Sequence, residues 1–309
     1  MPVKICACTL DSLGEVRELM RQTFCGRDFV PGPQAPFYIA YDVCDPDFRP
    51  EQYRFRRLRG RVVSALKVFV RRLDRAGGVI PVTLIGAVCT REGLRGRALI
   101  KPVIEDSLAY SRSLGAEAEL IVTPRPNYYQ RHGFRAFPTV LYEGRIPERE
   151  EDKARIEPLQ RDDAGWMTEL FNQSAFAYGP IVRSEQYTGR WILEMRLASG
   201  ENLGLKLLRR GKPVAFMIAA IKDDPVRVYE AVSRSRSGVE EATLLSFLGR
   251  FSRSRFVCSF PDAHPLIGFL RQAGARLKRT VENRLMYYPL GPSFPAPGEE
   301  FFFSQLDNV

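Results

Sequence analysis

The chain has 309 residues, 45% hydrophobic and 27% charged, with a formal net charge of +10. Its length is about twice that of a usual domain, so two units with separate cores are expected. No apolar run reaches the roughly 18 to 20 residues of a membrane span, and the segment Met1–Cys8 reads as a strand rather than a secretory signal, so the expectation is no membrane and a cytoplasmic location.

In chain order, a short strand at Ile5–Cys8 leads into an amphipathic helix through Phe24. Cys6 and Cys8 share one strand face as packed thiols. Tyr53–Leu58 and Arg61–Leu73 read as strands around the turn Arg59-Gly60. The turn Ala76-Gly77-Gly78 leads to a strand at Val79–Val88, then a helix from about Arg97 to Leu114. Strand Glu119–Thr123, a helical turn Asn127–His132 and a strand near Phe137–Tyr142 follow. The charged run Glu148–Lys153 reads as a linker.

The order then repeats. Residues 5–24 align without gaps on residues 156–175, matching Ile5, Asp11, Gly14, Glu18, Leu19 and Gln22 to Ile156, Asp162, Gly165, Glu169, Leu170 and Gln173. Strands Leu203–Arg209, Pro213–Ile221 and Val226–Val232 precede a helix at Val239–Phe251. Strand Phe256–Phe260, helix Pro265–Gln272 and strand Thr280–Tyr288 complete the second set. His264 is expected to be a helix cap or surface residue, and Phe301-Phe302-Phe303 a final strand.

Two segments of the first half carry chemistry. After the strand ending at Val88 comes Gly93-Leu94-Arg95-Gly96-Arg97-Ala98, leading into a helix. Free first-turn amides, small residues and the side chains of Arg91, Arg95 and Arg97 suit it to an anion such as phosphate; a basic, solvated helix cap is the plain alternative. Downstream stands Tyr128-Tyr129-Gln130-Arg131-His132-Gly133-Phe134.

The first segment resembles the Gln/Arg-x-x-Gly-x-Gly/Ala turn of the GCN5-related N-acetyltransferases, departing from it at Gly93. The second resembles that family's Phe-Tyr-Glu-x-x-Gly-Phe. With Asp45–Glu51 and Val63–Leu66, the chain is similar to the tandem members related to the enhanced intracellular survival acetyltransferases. Their third, carrier-protein-like domain is not expected here. The resemblance implies an α+β fold of two tandem domains, each a mixed, mostly antiparallel twisted sheet flanked by helices. Residues 1–147 would form the catalytic domain and 154–309 a degenerate copy. It implies acetyl-CoA as acyl donor, held by Val88, Cys89, Thr90, Leu94, Arg95, Gly96, Arg97 and Ala98, with Tyr129 protonating the departing thiolate. A primary amine of unspecified size would be the acceptor, and homo-oligomerisation is left open. Cys89 suggests a covalent acyl-enzyme, but no histidine lies near in sequence to activate it. Asp42, Asp45, Asp47 and Glu51 border the expected acceptor side as solvated loop acids or a base.

In the second half Glu240 falls opposite Gly96, with Glu241 beside it, and Leu270 opposite Tyr129, so the copy is expected to have lost the donor site. Two other readings stand beside this one. The hairpin Arg54–Arg61 interleaves arginines with aromatics and could contact nucleic acid. Strand alternation puts Tyr53, Phe55 and Arg57 on one face and Arg54 and Arg56 on the other, as in an ordinary basic hairpin. A scaffold without catalysis is the third reading.

Overall fold

The computed structural model describes residues 4–24, 37–75, 78–146, 155–174, 180–197, 202–221, 225–249, 255–292, 294 and 302–307. The linker Glu148–Lys153, Ala76, Gly77, Cys25 and Phe301 lie outside them.

The first half contributes β1 (Lys4–Ala7), α1 (Leu10–Phe24), α2 (Phe37–Cys44), β2 (Tyr53–Leu58), β3 (Arg61–Arg75), β4 (Gly78–Thr90), α3 (Lys101–Ser113), β5 (Ala118–Val122), α4 (Pro126–Gln130) and β6 (Arg135–Arg145). The second contributes β7 (Arg155–Pro158), α5 (Ala164–Asn172), α6 (Glu185–Tyr187) with a π-helical continuation Thr188–Leu197, then β8 (Asn202–Arg209), β9 (Lys212–Ala220) and β10 (Val226–Ser233). It closes with α7 (Val239–Leu248), β11 (Arg255–Cys258), α8 (Pro265–Gln272) and β12 (Lys278–Pro289). Apart from the expected C-terminal strand, the expected strands and helices are present, with ends shifted by a few residues. The largest shift is α3, which starts at Lys101 instead of near Arg97, because Gly96 and Ala98 hold positive φ and Pro102 suits a helix's first turn.

The expected α+β class holds, but the two halves do not make separate sheets. All twelve described strands form one mixed sheet in the order β1-β2-β3-β4-β5-β12-β6-β11-β10-β9-β8-β7. Replacing each strand by its counterpart six places along the chain gives the same order read backwards. The centre of this palindrome is the antiparallel pair β6–β12, with Val140 opposite Val281. Each of these two strands lies against the other half's fifth strand: Leu285 of β12 faces Val122 of β5, and Tyr142 of β6 faces Cys258 of β11. Neither half completes its sheet with its own last strand.

Side-chain alternation then sets three cores. Tyr53, Phe55, Val62 and Cys89 pack under α1 with Val16 and Leu19, while Leu66, Val68, Ile85 and Ile121 pack under α3 with Val103 and Ile104. The largest core joins the halves, with Tyr41, Phe69 and Leu73 of the first packed with Trp191, Ile192 and Phe216 of the second. Buried ion pairs stitch the α2 side. Lys67 reaches Asp42 at 2.9 Å and Arg71 reaches Asp45 at 3.2 Å. Asp42 and Asp45 are therefore not solvated loop acids as expected: both are buried and neutralised by cations of β3. Phe302 and Phe303 are buried but form no strand, and a 3-10 turn, Gln305–Asp307, follows. Asp307 is held there by Arg183 at 2.8 Å and by the Tyr187 hydroxyl at 2.9 Å.

Candidate functional site

The end of β4 carries the first feature. Ala65 of β3 pairs with Cys89 and Lys67 with Gly86, so Ala87 and Val88 together oppose the single residue Leu66. Ala87 absorbs the extra length at φ 49, a bulge that takes its backbone out of the ladder. On its other edge β4 pairs with β5 only through Thr83–Glu119 and Leu84–Leu120. From Ile85 onward its β5-facing groups have no strand partner among the described residues. Sequence reasoning missed this bulge; the small pair Gly86-Ala87 inside a β-branched run was the available signal.

Val88 and Cys89 point to opposite faces. Val88 packs on the α3 side with Ile85, Ile104 and Tyr129. Cys89 sits in the α1 core, only 3% exposed, where burial pushes its thiol up to about 12. A protonated thiol facing away from Tyr129 is no acyl acceptor. Thr90 Oγ1 lies 3.1 Å from Ser64 Oγ.

Beyond β4, a 3-10 turn Glu92–Leu94 leads through Arg95, Gly96, Arg97 and Ala98, which are exposed, to α3. Gly96 (φ 79) and Ala98 (φ 52) are left-handed, which explains the need for small residues there. A Cβ built on Gly93 or Gly96 meets nothing within 4 Å, so the backbone is open to a ligand.

One flank of this turn borders a cavity of about 830 Å³, walled by Leu19, Gln22 and Thr23 of α1, by Leu58, Arg59, Arg61 and Val63 of the β2–β3 hairpin, and by Arg91–Arg95 and Arg97. The cavity gathers Leu94, Arg95 and Arg97 from the expected site. Val88, Cys89, Thr90, Gly96, Ala98 and Tyr129 are not on its wall. Arg91 donates to Gln22 Oε1 and to the Val62 carbonyl, both at 3.2 Å, while its buried Nε has no hydrogen-bond partner.

The rest of the basic hairpin is engaged within the protein, on the two faces expected from alternation. Arg54 pairs with Asp106 of α3 at 2.5 Å and lies over the Tyr110 ring, and Arg56 donates to the Leu99 carbonyl. Arg57 pairs with Glu15 of α1 at 2.5 Å.

Tyr129 lies on the α3 face in the same core as Val88. Helix α4 closes with Phe134 N–H donating to the Tyr129 carbonyl and Gly133 N–H to that of Gln130, the paired bonds of a Schellman ending. The Tyr129 ring meets Phe134 and Tyr128 edge-on, at 5.7 and 5.2 Å. Burial, reinforced by Tyr128, raises its hydroxyl well above the ordinary tyrosine value, so it holds its proton at neutral pH.

The second half supplies an internal comparison. Helix α8 ends with the same bond pair, Ala275 N–H to Leu270 and Gly274 N–H to Arg271, which puts Leu270 opposite Tyr129 as expected. β10 has its register shift earlier, between Val228 and Glu230, while Ala231 and Val232 pair regularly with Met217 and Phe216, so no bulge stands at the position matching Val88. Glu240 and Glu241 are buried in the first turn of α7; Glu241 accepts from Ser233 Oγ at 2.7 Å. His264 is a cap as expected but is buried, not at the surface. Its Nδ1 accepts from Leu266 N–H, so Nε2 carries the proton donated to the Ala231 carbonyl at 2.9 Å. Burial lowers its pKa to about 3, keeping it neutral.

Among the described residues no group of three or more metal-ligating side chains occurs, and no helix is long and apolar enough to cross a membrane. No protein-family model and no curated protein matches the sequence. Solved structures do match the fold. A protein of Enterococcus faecalis V583 described as a probable N-acyltransferase is 15% identical with a TM-score of 0.72, over 94% of this chain and 73% of that one. A GCN5-related N-acetyltransferase from Kribbella flavida is 17% identical with a TM-score of 0.69, over 94% and 72%. Eis1 from Mycobacterium abscessus is 11% identical with a TM-score of 0.64, over 94% and 74%. The chain thus has the fold of the GCN5-related N-acetyltransferases.

Proposed function

We propose that this chain, folded as a GCN5-related N-acetyltransferase, is an acyl-CoA-dependent N-acyltransferase working on a primary amine. Residues 1–147 would hold the active site and residues 154–309 a degenerate tandem copy, a reading supported by the palindromic strand order. The observation that carries it is the bulged end of β4 running into an open, arginine-rich turn, with Tyr129 on the same face as Val88.

Acyl-CoA fits the residues present: unfilled space over Gly93 and Gly96 admits a bulky anion to the backbone. When bound, it supplies an activated thioester, whose C–S bond breaks as the amine nitrogen bonds to the acyl carbon. The amides of Leu94 to Ala98, in the field of Arg95 and Arg97, would hold its pyrophosphate. The backbone near Val88, displaced from the ladder beside Cys89 and Thr90, would donate to the thioester oxygen as charge develops. Tyr129, kept protonated by burial, would give its proton to the sulfur, and the proton that the nitrogen loses on becoming an amide passes to solvent, from which Tyr129 is reprotonated. The second half and α1 would border the acceptor.

The engagement of Arg54, Arg56 and Arg57 with Asp106, Leu99 and Glu15 weighs against a nucleic-acid surface. The test is thiol release from acetyl-CoA across a panel of primary amines, alongside calorimetric titration with acetyl-CoA. Binding with turnover is the expected result; binding without turnover of any amine would favour a scaffold, and no binding would overturn the reading.

A further inference from the structure

The turn after β4 has two sides; the proposed donor site and the cavity share Leu94, Arg95 and Arg97 and otherwise lie on opposite sides of it. Val88 and Tyr129 lie on the α3 face of the sheet. The cavity of about 830 Å³ lies on the other side, against Leu19, Gln22 and Thr23 of α1, and extends under the β2–β3 turn. It moves away from β5, because the sheet order from there is β4, β3, β2.

Five of its thirteen lining residues are arginines and one is an acid, Glu92; Arg95 and Arg97 are shared with the proposed donor turn, which leaves Arg59, Arg61 and Arg91 to the cavity alone. Arg59 and Arg61 are exposed at the hairpin tip, and no carboxylate pairs with either among the described residues. The other hairpin arginines are matched to acids or carbonyls, as Arg54, Arg56 and Arg57 show. At the inner end, Arg91 lines the wall and is pinned by Gln22 and the Val62 carbonyl, which holds its guanidinium in place. Planar guanidinium groups converging on one concavity recognise oxyanions, above all phosphate.

We propose that this cavity is an anion subsite for the acceptor, and that the acceptor is an amine carrying a phosphate group. This rests on the N-acyltransferase reading for the amine; the anion subsite stands on the cavity itself. Arg91 is three residues beyond Val88, so at strand spacing the phosphate and the reacting nitrogen sit about 10 Å apart. Arg59 and Arg61 close the outer end over the phosphate, and Arg91 contacts it from within.

The probe is 6-aminohexyl phosphate, with 6-aminohexanol as its uncharged counterpart. The full chain is compared with the double variant Arg59→Asn, Arg61→Gln; asparagine tolerates the left-handed φ of 51 at position 59. Calorimetry on the wild type should detect the phosphate compound and not the alcohol, and the double variant should weaken that binding by about tenfold or more. In turnover, the kcat/KM ratio of phosphate to alcohol should be well above one and should fall toward one in the variant. Equal binding of both compounds would overturn the proposal. So would a loss of affinity for CoA but not for dephospho-CoA in the variant, since the cavity would then serve the donor's own 3′-phosphate. If the phosphate compound binds as expected but no amine is acetylated, the subsite stands and the enzymatic reading fails.

Discussion

The chain contains the same strand–turn–helix junction twice, and the two copies solve opposite problems. At the first, Gly96 stands in open space and the turn is lined by Arg95 and Arg97. At the second, a Cβ on Gly238 would come within 2.2 Å of the Pro265 carbonyl and 2.7 Å of Phe269, so the start of α7 is pressed against α8. Buried Glu240 and Glu241 fill the first turn, where a ligand anion would otherwise find free amides. The bulge that displaces Ala87 and Val88 has no counterpart at Ala231 and Val232; the register shift of β10 lies earlier, between Val228 and Glu230, and the Ala231 carbonyl is held by His264. On the proposed reading the first junction admits an anion, whereas the second is packed shut by its own core within the same fold.

The largest expected effect is on catalysis in the open copy. Tyr129→Phe should lower kcat by about 10²- to 10³-fold while leaving the Kd for acetyl-CoA within a few-fold; unchanged turnover would remove Tyr129 from the chemistry. Transplanting the closed copy's charge should come next. Gly96→Glu should weaken acetyl-CoA binding by about 10- to 100-fold. Gly96→Asn, which keeps the left-handed backbone without the charge, should retain most of the affinity, and equal losses would mean that strain is responsible.

Stability should respond in the reverse sense. Gly238→Ala adds a methyl where backbone already stands and should cost about 3 kcal/mol in denaturant unfolding. Gly93→Ala, in open space, should change stability by less than about 0.5 kcal/mol. A comparable effect concerns pH. Burial raises Glu241 from 4.5 to about 7. Below about pH 4.5 it is protonated folded and unfolded; as pH rises toward 7, only the unfolded chain releases the proton. The folded state therefore loses stability across that window, by up to about 3 kcal/mol. Glu241→Gln should flatten this part of the stability profile, and an identical profile in the variant would contradict the assignment.

Much of this was legible in the sequence, for local reasons. The turn Arg59-Gly60 fixes the β2–β3 hairpin, and Pro265 with the capping His264 fixes the start of α8. The gapless repeat placed β7 in the same register as β1. Strand exchange was not legible, because β6 and β12 carry patterns that would suit either neighbour, and only pairing across more than a hundred residues chooses. The π-helical stretch Thr188–Leu197 owes its place to Trp191, which packs between Tyr187, just before the stretch, and Tyr41 from the distant α2. At the site, motifs gave the turn and Tyr129, but not the wall that α1 and Arg61 add. That wall depends on how the hairpin and helix meet.

The most direct test of the comparison is the stoichiometry of acetyl-CoA binding to the intact chain by calorimetry. One site per chain, strongly weakened by Gly96→Glu, is the expected result. Two sites, or one site that survives Gly96→Glu, would contradict the contrast between an open and a closed copy.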